Sequence, residues 1–248
     1  HTEYLLEGRT TLDPREAQGK ANRRLRGSGI VPGVVYGKGE DSTNVQVEAK
    51  TDKADGNGND DGNGFVNDRP GYDFVGPSAD APTSDKDPTD DDMRSGGHGV
   101  HVAGTVGAAG GNGVGITGVA QDARIMPLRV CAHSTVTGDA RCPVSSQIAA
   151  INYAGQNGAR VANMSLGGTT FNQTVVNAIA ANPQTLFVIS AGNDGQDNEL
   201  THHYPCDYRP TVDAIPAGSV DNIVCVAATD QADRLAGFSD YGAASVHP

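Results

Sequence analysis

Short apolar runs alternate with amphipathic segments from residue 123 onwards. Four of these runs have the length and the β-branched content of buried strands: 123–130, 159–166, 185–192 and 222–229. Between them, residues 145–158 and 169–183 predict two helices, the first ending at a glycine and the second at a proline. Apolar strands that alternate with helices indicate an α/β fold with three layers, in which helices flank a mostly parallel sheet.

Polar and glycine-rich residues follow the last three predicted strands. In a parallel α/β sheet, chemistry is expected just beyond the carboxyl ends of the strands. Those ends read Ser-Leu-Gly-Gly at 165–168, Ser-Ala-Gly-Asn at 190–193 and Ala-Thr-Asp at 228–230. Bare backbone at 165–168 can pair with an extended peptide, and the amide of Asn193 can donate to a developing oxyanion.

The stretch GGHGVHVAGTVGAAG at 96–110 predicts a helix that begins at His98. Its small residues would let the helix lie close to a sheet, and a helix start presents unpaired N–H groups and the positive end of the dipole. Two histidines three residues apart also suggest a metal. No glutamate lies between them, however, so the H-E-x-x-H zinc pattern is absent.

Composition divides the chain into a basic helix and strand segment at 1–50, an acidic loop at 51–92 and the α/β portion at 93–248. Residues 51–248 carry a net charge of −13 and residues 1–50 a net charge of +1, which together give the −12 of the whole chain. The loop carries one predicted short strand, at 71–75. Its candidate calcium ligands are Asp55, Asp60, Asp61 and Asp68. A solvated loop without calcium is the alternative, because the terminal glutamate of an EF-hand is missing.

The four cysteines form two local pairs, Cys131 with Cys142 and Cys206 with Cys225. Neither pair has the C-x-x-C spacing of a zinc or redox site, which favours two disulfides in an exported protein. Four reduced thiols in a cytosolic protein are the alternative. No apolar run is long enough for a membrane span, so we expect no membrane partner.

Several motifs together resemble the subtilisin-like serine proteases (subtilases) over residues 53–248. They are HGVHVAGT, IMPLRV, NMSLGG, FVISAGN and VAATDQADRLAGFSDYG, in the order in which that family carries them. The resemblance implies hydrolysis of peptide bonds by a Ser-His-Asp mechanism on peptide or protein substrates, in a secreted protein. It makes His98 the general base and Asn193 the oxyanion donor. The substrate backbone would lie along Ser165, Leu166, Gly167 and Gly168, and the specificity pocket would be lined by Ser190, Ala191 and Gly192.

Two parts of the family pattern are absent from these residues. No Gly-Thr-Ser nucleophile motif occurs, and Tyr36 falls where the catalytic aspartate should end the first apolar strand. A neutral tyrosine cannot stabilise a histidinium ion, so we expect no ordinary peptidase turnover from these residues alone. We also expect a C-terminally incomplete fold that is poorly soluble without a partner fragment, because an apolar face would stay exposed.

Residues 7–47 carry a second resemblance, to the bacterial large-subunit ribosomal proteins that bind 5S ribosomal RNA. The matching features are A-N-R-R-L-R-x-S-G, then V-P-G-V-V-Y-G, a polar turn and an alternating strand. The resemblance implies a small, separate α+β piece in a cytoplasmic protein, with RNA phosphates bound by Lys20, Arg23, Arg24 and Arg26. A solvated basic helix and a chimeric junction near 48–53 are alternatives. For the chain as a whole, a further alternative is a catalytically inactive subtilase that only captures peptides.

Overall fold

The computed structural model describes residues 30–35, 43–48, 65, 71–89, 97–113, 115–208, 220–243 and 245–246. These residues pack into two compact units, one within 3–146 and the other within 147–248. Among the described residues, no helix is both long and apolar enough to cross a bilayer.

The first unit begins with an antiparallel hairpin of β1 (Ile30–Val35) and β2 (Thr43–Glu48). Ile30 lies opposite Glu48, and Val35 lies opposite Thr43. The apolar run followed by an alternating strand therefore forms a hairpin, as its pattern predicts. The basic residues predicted to contact RNA and the four aspartates predicted to bind calcium lie outside the described residues.

The rest of this unit contains β3 (Tyr72–Asp73), α1 (His98–Gly107) and β4 (Leu128–Arg129), with β3 and β4 paired in parallel. The strand predicted at 123–130 was too long. Pro127 has no N–H to add to a ladder, and only its carbonyl pairs, accepting from the amide of Tyr72 at 3.0 Å.

A second hairpin, of β5 (Ala132–His133) and β6 (Ala140–Arg141), pairs antiparallel and is spanned by the Cys131–Cys142 disulfide. The hydrophobic pattern did not predict it, because strands of two residues show no periodicity. Helix α2 (Val144–Gln156) follows, and the chain leaves it through Gly158 at a φ of 72°, in agreement with the predicted glycine stop.

The second unit is built on β7 (Val161–Met164), β8 (Leu186–Ser190) and β9 (Ile223–Val226), with α3 (Gln173–Ala180) between the first two. The strands are parallel in the order β7-β8-β9. This confirms the predicted parallel pairing, although each strand is shorter than its apolar run. The remaining residues of each run lie directly before or after its strand.

One face of this sheet and the apolar side of α3 form the main core. Phe187 and Ile189 of β8 are almost fully buried, as are Val175, Val176 and Ile179 of α3. Side chains along β8 and β9 alternate between buried and less buried positions. One face of each of these two strands is thus more deeply buried than the other. Because nearly all residues of these strands are apolar, the sequence shows no apolar/polar alternation, although burial alternates at every second residue.

Candidate active site

His98 is the first residue of α1, and its side chain is exposed. The helix is entered through Gly97, which has a φ of 71° and offers no side-chain cap. Its first turn carries no acidic residue. The ring therefore stands at the amino end of a helix, in the position that the sequence predicted.

His101 lies one turn further along α1 and is half-buried. Burial lowers the pKa of His101, and repulsion from His98 lowers it further. The fully buried positions of this helix are two glycines, Gly104 and Gly107. A Cβ on Gly107 would lie 3.1 Å from the side chain of Ile125, so the lack of a side chain there allows close packing.

The carboxyl ends of β7 and β8 bring the predicted substrate-binding residues together. Met164 pairs with Ile189, and Ser190 pairs with Val226, so the segments 165–168 and 190–193 leave the sheet at the same edge. We call 165–168 and 190–193 the strand-end segments. They share one unit, whereas His98 belongs to the other.

The first strand-end segment is fixed by backbone bonds. The amide of Gly168 donates to the carbonyl of Tyr204 at 2.9 Å, and the amide of Tyr204 donates back to Gly168 at 2.7 Å. The side chain of Leu166 packs against the main core. Gly167 and Gly168 are exposed, so part of this segment's backbone remains accessible at the edge of the sheet.

The second strand-end segment is held by Asp240, whose role the sequence did not reveal. This carboxylate is 2% exposed and accepts from the amides of Asp194 at 2.8 Å and Gln196 at 2.9 Å. Its own amide donates to the carbonyl of Gly192 at 3.1 Å. Gly192 has a φ of 121°, and a Cβ there would overlap the Asp240 carboxylate, so only glycine fits. Asn193 is thereby presented at the surface.

His203 was also missed from the sequence. A Cβ on Gly167 would overlap its ring, and a Cβ on Gly192 would lie 3.1 Å from its Cδ2 atom. The backbone amide of His203 donates to Asp207 at 2.8 Å, and its ring Nδ1 is buried without a hydrogen-bond partner. A histidine directly before a Tyr-Pro-Cys sequence carries no pattern that would have marked it.

A buried ion pair in the first unit was likewise not predicted. Asp73, at the end of β3, accepts from Arg129 Nη1 of β4 at 2.6 Å, and the two side chains are 4% and 11% exposed. The other carboxylate oxygen accepts from the amides of Val75 and Gly76 at 2.7 and 2.9 Å. The carboxylate therefore accepts hydrogen bonds at both oxygens, whereas Nε of Arg129 is buried without a hydrogen-bond partner. Among the described residues, no cluster of His, Cys, Asp or Glu could hold a metal ion.

Residues 27–248 match the family model described as "Subtilase family". The chain is 36% identical over 174 residues to the "Thermophilic serine proteinase" of Bacillus sp. (strain AK1), covering 69% of this chain and 36% of that protein. It is 36% identical over 149 residues to "Subtilisin BL" of Lederbergia lenta, covering 59% of this chain and 48% of that protein.

Among solved structures, the fold resembles the epidermin leader peptide processing serine protease (EpiP) from Staphylococcus aureus. The TM-score is 0.51 at 22% identity, covering 71% of this chain and 45% of that one. The chain thus spans about a third to a half of the length of these relatives. The family match begins at Gly27, earlier than the 53–248 expected from the motifs, and so includes the β1–β2 hairpin.

Proposed function

The chain belongs to the subtilase family, and we propose that it is part of the catalytic domain of a subtilisin-like serine endopeptidase. The observation that supports this proposal best is the meeting of the two strand-end segments at one edge of a parallel sheet. The exposed backbone of 165–168 can pair with an extended peptide, and the side-chain amide of Asn193 can polarise the carbonyl of the peptide bond that is cleaved.

In this proposal the substrate backbone lies along 165–168. The side chain of the substrate residue that precedes the scissile bond enters a pocket lined by Ser190, Ala191 and Gly192. Asn193 donates to the oxyanion, and Asp240 keeps that residue's loop in place through the amides of Asp194 and Gln196. His98 serves as general base. A donor of this kind is worth about 2.7–4 kcal/mol of transition-state stabilisation.

The 248 residues by themselves are predicted to bind peptides without cleaving them. They contain no Gly-Thr-Ser nucleophile motif, and Tyr36 stands where the family keeps its aspartate. Incubation of the purified chain with casein tests this prediction. Cleavage that a serine-protease inhibitor abolishes would contradict it.

Peptide binding is tested by mapping amide chemical-shift changes while acetyl-tetraalanine amide is titrated into the chain. We expect the changes to concentrate at 165–168 and 190–193. A control peptide of the same sequence, N-methylated at alternate amides, should bind far more weakly because it cannot form strand hydrogen bonds. Equal responses to both peptides, or shifts confined to other residues, would refute peptide capture at this edge.

We further propose that the protein acts outside the cytosol. Both cysteine pairs form disulfides, which persist in oxidising compartments. One relative, from Dichelobacter nodosus, is named "Extracellular basic protease". Calcium binding by the acidic loop stays a prediction, and a melting temperature unchanged by EDTA would contradict it.

RNA binding by Lys20, Arg23, Arg24 and Arg26 also stays a prediction, and neither the family match nor the similar proteins support it. The family match begins at Gly27 and so covers the hairpin, which favours a hairpin that belongs with the protease portion. RNA binding would be supported if the chain shifts 5S ribosomal RNA in a native gel and an Arg23→Ala, Arg24→Ala variant does not.

A further inference from the structure

Asn198 lies in the loop that follows the second strand-end segment, and it is only 1% exposed. Its side-chain Nδ2 donates to the carbonyl of Ala191 at 3.0 Å. A carbonyl can only accept, so the side-chain amide must turn its nitrogen towards Ala191. The other end of the amide, Oδ1, is buried without a hydrogen-bond partner. The donor is therefore the part of this buried side chain that the fold uses.

The backbone of Asn198 is fixed independently of that bond. Its amide donates to the carbonyl of Tyr241 at 2.7 Å, and its carbonyl accepts from Nδ1 of His202 at 3.1 Å. Because both backbone groups are bonded, the side chain starts from a fixed place. It can therefore hold the Ala191 carbonyl in one direction.

The bond from Asn198 sets the plane of the peptide group between Ala191 and Gly192. The Ala191 amide donates to Val226 at 2.9 Å, whereas its carbonyl turns to Asn198. The Ala191–Gly192 peptide bond is trans, so the Gly192 N–H points away from Asn198. Among the described residues no group accepts from this N–H, although Gly192 is buried. A buried N–H without a partner is rare, so this donor is available to a ligand.

Asn193 lies between two points at which its loop is held. Before it, Asn198 holds the carbonyl of Ala191. After it, Asp240 accepts from the amides of Asp194 and Gln196. The two holds are independent, because Asp240 bonds only the residues that follow Asn193 through its carboxylate, and Asn198 bonds the peptide group that precedes Gly192.

We propose that Asn198 is a positioning residue for peptide capture. It turns the peptide group between Ala191 and Gly192 so that the Gly192 amide faces an acceptor of the bound peptide. Asn193 then follows in the orientation that polarises the scissile carbonyl. The inference rests on the proposed function, and Asn198 itself does not touch the peptide.

The test compares two buried asparagines at opposite ends of β8. Asn222 donates to the carbonyl of Thr185, directly before the strand, whereas Asn198 donates to Ala191, directly after it. Leucine, which has a similar size and no donor, replaces each asparagine in turn. NMR titration with acetyl-tetraalanine amide measures peptide binding, and urea denaturation measures the free energy of unfolding.

Asn198→Leu should weaken peptide binding about tenfold, because one oriented hydrogen bond to the peptide is lost. Its free energy of unfolding should change little, since removal of the unpartnered Oδ1 offsets the lost bond to Ala191. Asn222→Leu should do the reverse, lowering stability while peptide affinity stays native. A purely structural role for Asn198 would lower both quantities together.

Asn198→Asp adds a rescue experiment, with circular dichroism to establish that the variant is folded at each pH. An ionised carboxylate cannot donate to Ala191, so this variant should bind the peptide as weakly as Asn198→Leu. Acidification should restore its affinity, because a protonated carboxyl group donates again. Asn198→Leu should show no such recovery, and where Asn198→Asp does not fold, the two leucine variants decide.

In the native chain, the Gly192 amide proton should move downfield as the peptide binds, and this shift should be absent in Asn198→Leu. An unmoved Gly192 proton in the native chain overturns this inference alone. So does native affinity in Asn198→Leu, or an affinity loss that only follows the loss of folded protein. If the native chain does not bind the peptide at the strand-end segments, the proposed function fails, and this inference fails with it.

Discussion

Asp73 and Arg129 form a buried ion pair whose loss should strongly destabilise the fold. Both side chains are almost fully buried, and the carboxylate accepts two backbone amides besides the guanidinium. Arg129 also donates to the carbonyl of Gly76 at 2.7 Å. Removing one member would leave the other charge buried and unpaired, which is the costly case.

Asp73→Asn is therefore expected to lower the free energy of unfolding by about 3–5 kcal/mol. Urea denaturation followed by far-UV circular dichroism measures this change. Asp230→Asn is the control, because Asp230 pairs with Arg234 at the surface and should change stability little. Equal losses of unfolding free energy in the two variants would show that burial of the Asp73–Arg129 pair does not raise the cost of breaking it.

The lowered pKa of His101 gives a pH dependence with a definite sign. A histidine that binds its proton less tightly in the folded state destabilises the fold as the pH falls below its ordinary pKa of 6.5. His98→Asn should raise the pKa of His101 by removing the repulsion, while burial still keeps it below that value. NMR titration of the ring protons measures this, and an unchanged midpoint would contradict the assigned cause.

At the scale of the element, helix α3 depends on a specific cap. The side chain of Asn172 accepts from the amides of Thr174 at 3.0 Å and Val175 at 3.2 Å. At the other end, Asn222 donates to the carbonyls of Asn182 and Thr185 at 3.1 and 2.9 Å. Both ends of the connection between β7 and β8 are thus hydrogen-bonded by asparagine.

Asn172→Ala should lower the free energy of unfolding by about 1 kcal/mol, because it removes the acceptor for two amides at the helix start. Asn172→Asp keeps an acceptor in the same place and should lose little or nothing. Thermal and urea denaturation compare the two variants. A loss as large for aspartate as for alanine would argue against capping.

At the scale of the whole molecule, the two disulfides close different loops. Cys131 and Cys142 are 11 residues apart beside the β5–β6 hairpin, whereas Cys206 and Cys225 are 19 apart and buried in the main core. The second disulfide also anchors the segment that carries His203. It therefore links the sheet to the proposed pocket.

Replacing Cys206 and Cys225 by alanine should lower the free energy of unfolding by about 3 kcal/mol, since the unfolded chain regains the freedom of the closed loop. The same replacement at Cys131 and Cys142 should cost less, because its loop is shorter. Denaturation of the two double variants measures the difference. A greater loss for the 131–142 pair would show that loop length and burial do not govern the effect.

The sequence by itself determined the order of the strands and helices in 145–229, the start of α1 at His98 and the segments that end β7 and β8. Those features are local, because periodicity and turn residues act over a few positions. Tertiary structure alone brought Asp240 beneath the loop of Asn193 and paired Asp73 with Arg129, across 46 and 56 residues. It also placed His203 between two glycines. Such contacts depend on how elements pack, and a single sequence carries no periodic signal for them.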